Sequence, residues 1–159
     1  MELAVVNSGF ALELKNNLNI DISTLEGCYL QIYQQDPFDE AESIYVFTEY
    51  NAIVALSNQF SNLELIEEVH ELLLFEELKV YEKFSDYGWK GKLYYLYREL
   101  VLPFKIVDGE EVQIKMATIQ MEEDLIAYDY TKQTYYVDFH VKELIEGYAN
   151  AYEIHVEFL

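Results

Sequence analysis

Three histidines are the residues best suited to bind a metal ion or to carry a proton at neutral pH. His70, His140 and His155 show neither the H-x-H nor the H-E-x-x-H spacing that puts two imidazoles on one metal ion. Asp138 and His140 fall on the same side of a predicted strand, and we interpret them as a surface pair rather than as ligands. The sequence therefore predicts no metal site.

Cys28 is the only cysteine, and it begins an apolar segment with no base beside it in the sequence. We interpret it as a small core residue rather than a nucleophile. The chain also lacks the G-x-S-x-G, Walker A and G-x-G-x-x-G motifs. We therefore predict a protein that is not an enzyme, with no catalytic residues and no cofactor.

The charge of the chain is strongly one-sided. Thirty acidic residues face ten Lys and Arg among 159 residues, for a formal net charge of −20. Residues 1–78 hold fifteen acids and a single base, Lys15, whereas residues 79–115 are close to neutral. This distribution excludes a nucleic-acid-binding surface and argues against binding to anionic membranes, both of which need basic patches.

The remaining composition indicates a folded protein of the cytoplasm. Hydrophobic residues make up 52% of the chain and aromatic residues 16%, too many for a disordered acidic segment. One cysteine allows no internal disulfide, and no basic, apolar leader or long apolar run is visible. We expect a location in the cytoplasm of a bacterial host cell.

Alternating and helical patterns predict one α+β domain over residues 1–159, mostly antiparallel sheet with two or three helices. The predicted helices are Gly9–Leu18, Ser61–Glu77 and Lys142–Ala149. Leu93–Leu102 fits a helix or a strand. The predicted strands are Tyr29–Gln34, Ile44–Glu49, Ala52–Leu56, Leu78–Phe84, Phe104–Val107, Val112–Gln120, Leu125–Tyr130, Tyr135–Val141 and Tyr152–Phe158. Hairpins are expected around the acidic loop Asp36–Ser43, at Asp108-Gly109 and at residues 131–134.

Ser61–Glu77 carries the clearest helical pattern. Ser61 and Glu64 have the spacing of a capping box. The glutamates at 64, 67, 68 and 71 would then form an outer face with no Lys or Arg four residues away to pair with. Together with two other acidic segments, this face gives the candidate partner-binding residues: Asp36, Asp39, Glu40, Glu42, Glu64, Glu67, Glu68, Glu71, Glu122, Glu123 and Asp124.

Within the segment Ile44–Leu74, a predicted strand ends in Thr48-Glu49-Tyr50, and Gln59-Phe60-Ser61-Asn62-Leu63-Glu64-Leu65 follows as the opening of an acidic helix. This arrangement resembles that of the ArdA antirestriction family. The whole chain is also similar in character to the small acidic anti-CRISPR and antirestriction proteins of phages and mobile elements. The resemblance implies a non-enzymatic inhibitor that acts as a DNA mimic.

The expected function is therefore inhibition of a nucleic-acid-acting bacterial defence enzyme by an acidic surface that occupies its cationic DNA-binding channel. The expected partner is a basic protein surface, with no direct binding to nucleic acid or membrane; the oligomeric state stays open, a homodimer included. Three alternatives remain. They are an immunity protein that neutralises a cationic toxin, an inhibitor that binds the same enzymes away from the DNA channel, and an acidic housekeeping or halophile binding module.

Overall fold

The computed structural model describes residues 8–16 and 19–159. It confirms the α+β class with mostly antiparallel sheet, and the described residues hold four α-helices. The chain divides into two compact units, Met1–Leu74 and Phe75–Leu159, which we call the first and second unit. No helix in the described residues is long and apolar enough to cross a membrane.

The first unit is a sheet covered by two helices on one face. Its strands lie in the order β2-β3-β1-β4, and every neighbouring pair is antiparallel. In chain order the elements are β1 (Ser8–Leu14), α1 (Ile22–Gln34), β2 (Asp39–Ala41), β3 (Ile44–Phe47), α2 (Tyr50–Gln59) and β4 (Ile66–Phe75).

The core of the first unit lies between this sheet and the two helices. Leu12 and Leu14 of β1 pack against Cys28 and Ile32 of α1 and against the buried side of α2. Alternate residues of a strand point to opposite faces, so Ala11 and Glu13 lie on the face away from the helices. Asp21 caps α1, because its side chain accepts a hydrogen bond from the backbone N–H of Thr24 at 2.7 Å.

Most of the elements predicted for the first unit are wrong. The predicted helix Gly9–Leu18 is strand β1 over residues 9–14, and its residues 17–18 lie outside the described residues. The predicted strands Tyr29–Gln34 and Ala52–Leu56 lie in α1 and α2. The strand predicted over Ile44–Glu49 is confirmed as β3, but its hairpin partner is β2.

The helix predicted over Ser61–Glu77 is also wrong, since this segment forms a turn followed by β4. The physical reason is that this segment buries apolar side chains on both of its faces. As a strand, β4 packs Ile66 and Val69 against the helix-covered core and buries Leu72 and Leu74 on its other face. A helix would bury only one apolar stripe.

The second unit contains a five-stranded antiparallel sheet in the order β11-β8-β10-β9-β5, together with an antiparallel pair formed by β6 and β7. In chain order the elements are β5 (Lys79–Val80), β6 (Gly88–Lys90), β7 (Tyr94–Tyr97), β8 (Val101–Asp108), α3 (Glu111–Met121), β9 (Leu125–Asp129), β10 (Thr134–Asp138), α4 (Lys142–Ala151) and β11 (His155–Phe158). Single 3₁₀ turns cover Glu82–Asp86, Arg98–Leu100 and Phe139–Val141.

Aromatic residues form a continuous row across the five-stranded sheet. Phe158, Phe104, Tyr135 and Tyr128 occupy directly paired positions on four neighbouring strands, and Lys79 continues the row on the fifth. The ring centroids of neighbouring members are 4.4–5.8 Å apart. We call these four rings the aromatic ladder. Its centre packs against α3 and α4, because Phe104 belongs to the core with Ala117, Met121, Ile145 and Ala149.

The hairpin predicted over residues 125–141, the strand at Phe104–Val107 and the helix Lys142–Ala149 are confirmed. The last predicted strand is confirmed from residue 155 onwards, and Leu93–Leu102 resolves into β7, a 3₁₀ turn and the start of β8. The predicted strand Val112–Gln120 is wrong, since it lies in α3. Gly109, with φ +147°, turns the chain from β8 towards this helix instead of closing a hairpin.

Candidate partner-binding surface

The first group of predicted acids surrounds the short edge strand β2. Asp36 follows the end of α1, three residues before β2, Glu42 lies in the turn after β2, and Asp39 and Glu40 belong to the strand itself. The hydroxyl of Tyr33 on α1 donates a hydrogen bond to Glu40 at 2.8 Å, and Tyr33 also contacts the ring of Tyr45. The segment predicted as a loop is therefore a hairpin edge tied to α1.

The second group, Glu64 to Glu71, does not form one face. Glu64 lies in the turn before β4 with φ +49°, and Glu67 lies at an irregularity where the β1–β4 register shifts. Glu68 and Glu71 point to opposite sides of the sheet, because Glu68 pairs with Glu13 and Glu71 with Phe10, which packs against the helix-covered core. The outer helical face predicted for these residues does not exist.

The structure regroups the acids at one end of the first sheet. The backbone N–H of Leu14 donates to the carbonyl of Ser43 at 2.9 Å, and that of Lys15 donates to the carbonyl of Leu65 at 3.0 Å. These bonds bring the β2–β3 turn, the end of β1 and the beginning of β4 side by side. We call the acidic residues of these three segments the acidic end: Glu13, Glu42, Glu64, Glu67 and Glu68.

An open depression lies within the acidic end. It has a volume of about 440 Å³ and is lined by Glu13, Leu14, Lys15, Asn16 and Glu67. Lys15 is the single basic residue of the sequence up to residue 74. Four of the five carboxylates of the acidic end are exposed, and Glu13 is half-buried.

Glu13 and Glu68 face each other directly across β1 and β4, and His70 lies beside them. The Nε2 atom of His70 is 2.9 Å from Glu13 Oε2 and 3.8 Å from Glu68 Oε2. Directly opposed like charges destabilise a strand pair. The imidazole therefore occupies the position at which a cation would relieve this repulsion.

The acids predicted in the second unit lie in different surroundings. Asp124 forms an ion pair with Lys83 at 3.6 Å and accepts a hydrogen bond from the hydroxyl of Tyr148 at 3.3 Å. The pKa of Lys79 is raised, chiefly by its electrostatic interaction with the hydroxyl group of Tyr81, and Glu122 contributes to the same shift. Glu122 and Asp124 are therefore each near a lysine of the second unit.

The other candidate groups of the sequence have plain structural roles. Cys28 is buried, and this burial raises the pKa of its thiol, which opposes formation of a nucleophilic thiolate. Asp138 accepts hydrogen bonds from the hydroxyl of Tyr87 and from the backbone N–H of His140, and the bond from Tyr87 is the largest cause of its lowered pKa. The Asp138–His140 pair closes a turn in the second unit.

Sequence reasoning missed Glu13 and His70 as members of the site. They are 57 residues apart in the chain, and only the pairing of β1 with β4 brings them together. The alternation of Ala11 and Leu12 with Glu13 was the available signal, because it is the period-two pattern of a strand. The assignment of Gly9–Leu18 to a helix concealed it.

Backbone strain coincides with several of these acids. Asp36, Glu42 and Glu64 all have positive φ between +49° and +55°, a conformation that Gly or Asn adopts at lower cost.

Comparison of the chain with protein-family models, curated proteins and solved structures found no match. The candidate surface is accordingly defined by charge and geometry: a base-poor acidic end in the first unit, with the β2 acids beside it.

Proposed function

We propose that this protein is a non-enzymatic inhibitor of a nucleic-acid-acting bacterial enzyme, of the anti-CRISPR or antirestriction type. Its acidic end would occupy the cationic surface on which that enzyme holds DNA, in the manner of a DNA mimic. The site of action would be the cytoplasm of the bacterial host cell.

The observation that carries the proposal is the separation of charge between the two units. Thirteen acidic residues and one lysine fall in residues 1–74, a net charge of −12, against −8 in residues 75–159 with nine bases. Within the described part of the first unit, no Lys or Arg forms an ion pair with Glu42, Glu64 or Glu67. A surface of this kind attracts a basic partner and speeds its association.

The spacing of the acids also supports the proposal. Neighbouring strands are about 4.8 Å apart, so the β2–β3 turn and β4, with β3 and β1 between them, place carboxylates across about 12 Å. Duplex DNA carries one charge per about 1.7 Å of its axis, and proteins bind it largely through these charges. Five carboxylates on one rigid sheet end are a compact substitute for a few adjacent phosphates.

Retention of glutamate at strained positions is a further argument. Glu42 and Glu64 adopt the left-handed conformation at a cost of about 1–3 kcal/mol each, where Gly or Asn would cost less. Neither side chain serves the core, because both are exposed. Glu153 of the second unit has the same backbone conformation, so the strain supports the proposal together with the clustering of charge at the acidic end.

The test is a DNA-cleavage assay with a panel of CRISPR effector nucleases, restriction enzymes and nuclease toxins. Wild type is compared with the triple variant E42K/E64K/E67K, and with E110K/E146K/E157K as a control that changes the same charge at exposed positions of the second unit. We expect wild type and the control to inhibit one target, and the acidic-end variant to lose inhibition by at least 100-fold.

The outcomes separate the alternatives left open by the sequence. Inhibition confined to a nuclease toxin would indicate an immunity protein. If the protein inhibits no enzyme of the panel, the proposal is contradicted. Equal loss in both triple variants would show that only total charge matters. A gel-shift with duplex and single-stranded DNA at low salt should show no binding by the protein alone; micromolar binding would also contradict the proposal.

A further inference from the structure

The acidic end contains a set of three metal-ligating side chains that the sequence does not reveal. Glu13 lies at the end of β1, and Glu68 and His70 lie on the same face of β4. One ligand atom from each residue lies within 4.8 Å of the other two. An imidazole and two carboxylates form a ligand set found in metal sites, whereas a cluster of carboxylates alone is common on acidic surfaces.

The distances fit a metal ion after small side-chain adjustments. Zn²⁺ binds His nitrogen and carboxylate oxygen at about 2.0–2.2 Å, so tetrahedral ligand atoms lie about 3.3 Å from one another. His70 Nε2 is 2.9 Å from Glu13 Oε2 and 3.8 Å from Glu68 Oε2. These separations lie on either side of the required value by about half an ångström.

The surrounding backbone favours an ion at this position. Glu13 and Glu68 are directly opposed on rigid neighbouring strands, a repulsive arrangement that a divalent cation between them would make attractive. The register shift at Glu13 and Leu14 falls at the same point, and such irregularities are over-represented next to functional sites.

The three ligands differ in burial. Glu13 also lines the open depression of the acidic end, together with Lys15, Asn16 and Glu67. The side chain of His70 is 19% exposed, that of Glu13 33% and that of Glu68 58%. The histidine is thus held by the protein while one side of the cluster stays open.

We propose that Glu13, Glu68 and His70 bind a divalent transition-metal ion, with Zn²⁺ preferred and with water in the remaining position. The imidazole disfavours Mg²⁺ and Ca²⁺, which take oxygen ligands. The bound ion would join β1 to β4 and neutralise two charges of the acidic end. The proposal does not depend on the proposed inhibitory function, since it concerns the free protein.

The test is calorimetric titration of the metal-free full chain with ZnCl₂ and, separately, with CaCl₂. Wild type should bind one Zn²⁺, and E68Q and H70Q should bind it at least tenfold more weakly. H140Q is the matched control, because His140 has an equally close carboxylate, at 3.0 Å in Asp138, but no third ligand among residues 8–16 and 19–159. It should bind Zn²⁺ as wild type does.

A second measurement covers the case in which H70Q fails to fold. Proton resonances of the three histidine rings are followed by NMR in wild type during the same titration, and only those of His70 should change at one equivalent. Absence of Zn²⁺ binding, unchanged affinity in E68Q, equal affinity for Ca²⁺, or a first change at His140 or His155 would each overturn the proposal.

Discussion

The two units of the chain use charge in opposite ways. In the second unit, ammonium groups lie over aromatic rings: Lys79 over Tyr81 at 5.1 Å, Lys90 over Tyr94 at 4.9 Å, and a third pair on α4 and β11 at 5.2 Å. In the first unit the acidic end has one lysine nearby, Lys15, which lines the depression together with Glu13 and Glu67.

This difference is the basis for the proposed location of the partner-binding surface. Charged side chains of the second unit take part in contacts within that unit, namely cation–π contacts and the Lys83–Asp124 ion pair. The acids of the first unit oppose its folding by mutual repulsion, so their number is costly unless a partner uses them. We therefore propose that the partner-binding surface lies in the first unit and that charge in the second unit has a largely structural role.

The largest expected effect concerns the aromatic ladder. Phe104→Ala should lower the free energy of unfolding by about 3–5 kcal/mol, because a fully buried ring is replaced by a cavity. Tyr130→Ala, at a ring that is 58% exposed beside Tyr128, should cost less than about 1 kcal/mol. Urea unfolding followed by the fluorescence of Trp89, the only tryptophan, measures both. Equal losses of unfolding free energy in the two variants would contradict a core centred on the aromatic ladder.

A smaller effect is expected at the hydrogen bond from Tyr87 to Asp138. This bond raises the pKa of Tyr87 to about 12 and holds the pKa of Asp138 below its usual range. Loss of the hydroxyl in Tyr87→Phe should cost about 1–2 kcal/mol at pH 7.

The same variant predicts a change in acid stability. A carboxyl whose pKa is lowered by folding stabilises the protein above its unfolded pKa, near 3.9, and this contribution disappears as pH falls through the folded value. The cost of Tyr87→Phe should therefore shrink below about pH 4. Urea unfolding at pH 7 and pH 3 checks this, and a cost that grows on acidification would show that the bond does not favour the charged carboxylate.

The smallest expected effect compares strained glutamates in the two units. Glu64→Asn and Glu153→Asn should each raise the free energy of unfolding by about 0.5–1 kcal/mol, because both positions have positive φ and Asn tolerates it. At low salt, Glu64→Asn should raise the free energy of unfolding by about a few tenths of a kcal/mol more than Glu153→Asn, since it also removes repulsion in the acidic end. Thermal unfolding at 10 mM and 1 M NaCl tests this, because high salt should abolish the difference in stability gain between the two variants. A difference that persists at 1 M NaCl would show that electrostatic repulsion does not cause it.

The second unit was more predictable than the first because its signals are local. Residues 131–134 separate two apolar segments of strand length, and Asp129 accepts hydrogen bonds from the backbone and hydroxyl of Thr131 to shape that turn. The helix α4 shows a regular apolar stripe through Ile145 and Ala149. Both features require few distant contacts.

The first unit depends on distant pairing, which overrode its local patterns. Ser61 and Glu64 match a capping box, yet the Ser61 hydroxyl donates to the carbonyl of Asn58 at the end of α2, and Glu64 adopts a turn conformation. Pairing of β4 with β1 then decides which carboxylates meet, and it brings Glu13 and His70 together across 57 residues. The acidic character was visible in the sequence, but its arrangement was not.

The most direct test of the central claim is competition with DNA on a target identified in the cleavage panel. The immobilised enzyme is saturated with DNA that binds in its cationic channel. Binding of wild type, E42K/E64K/E67K and E110K/E146K/E157K to the enzyme is then measured with and without that DNA. We predict that DNA blocks wild type and the second-unit variant alike, and that the acidic-end variant binds poorly in both conditions. Undiminished binding of wild type to the DNA-loaded enzyme, or full binding by the acidic-end variant, would contradict the account.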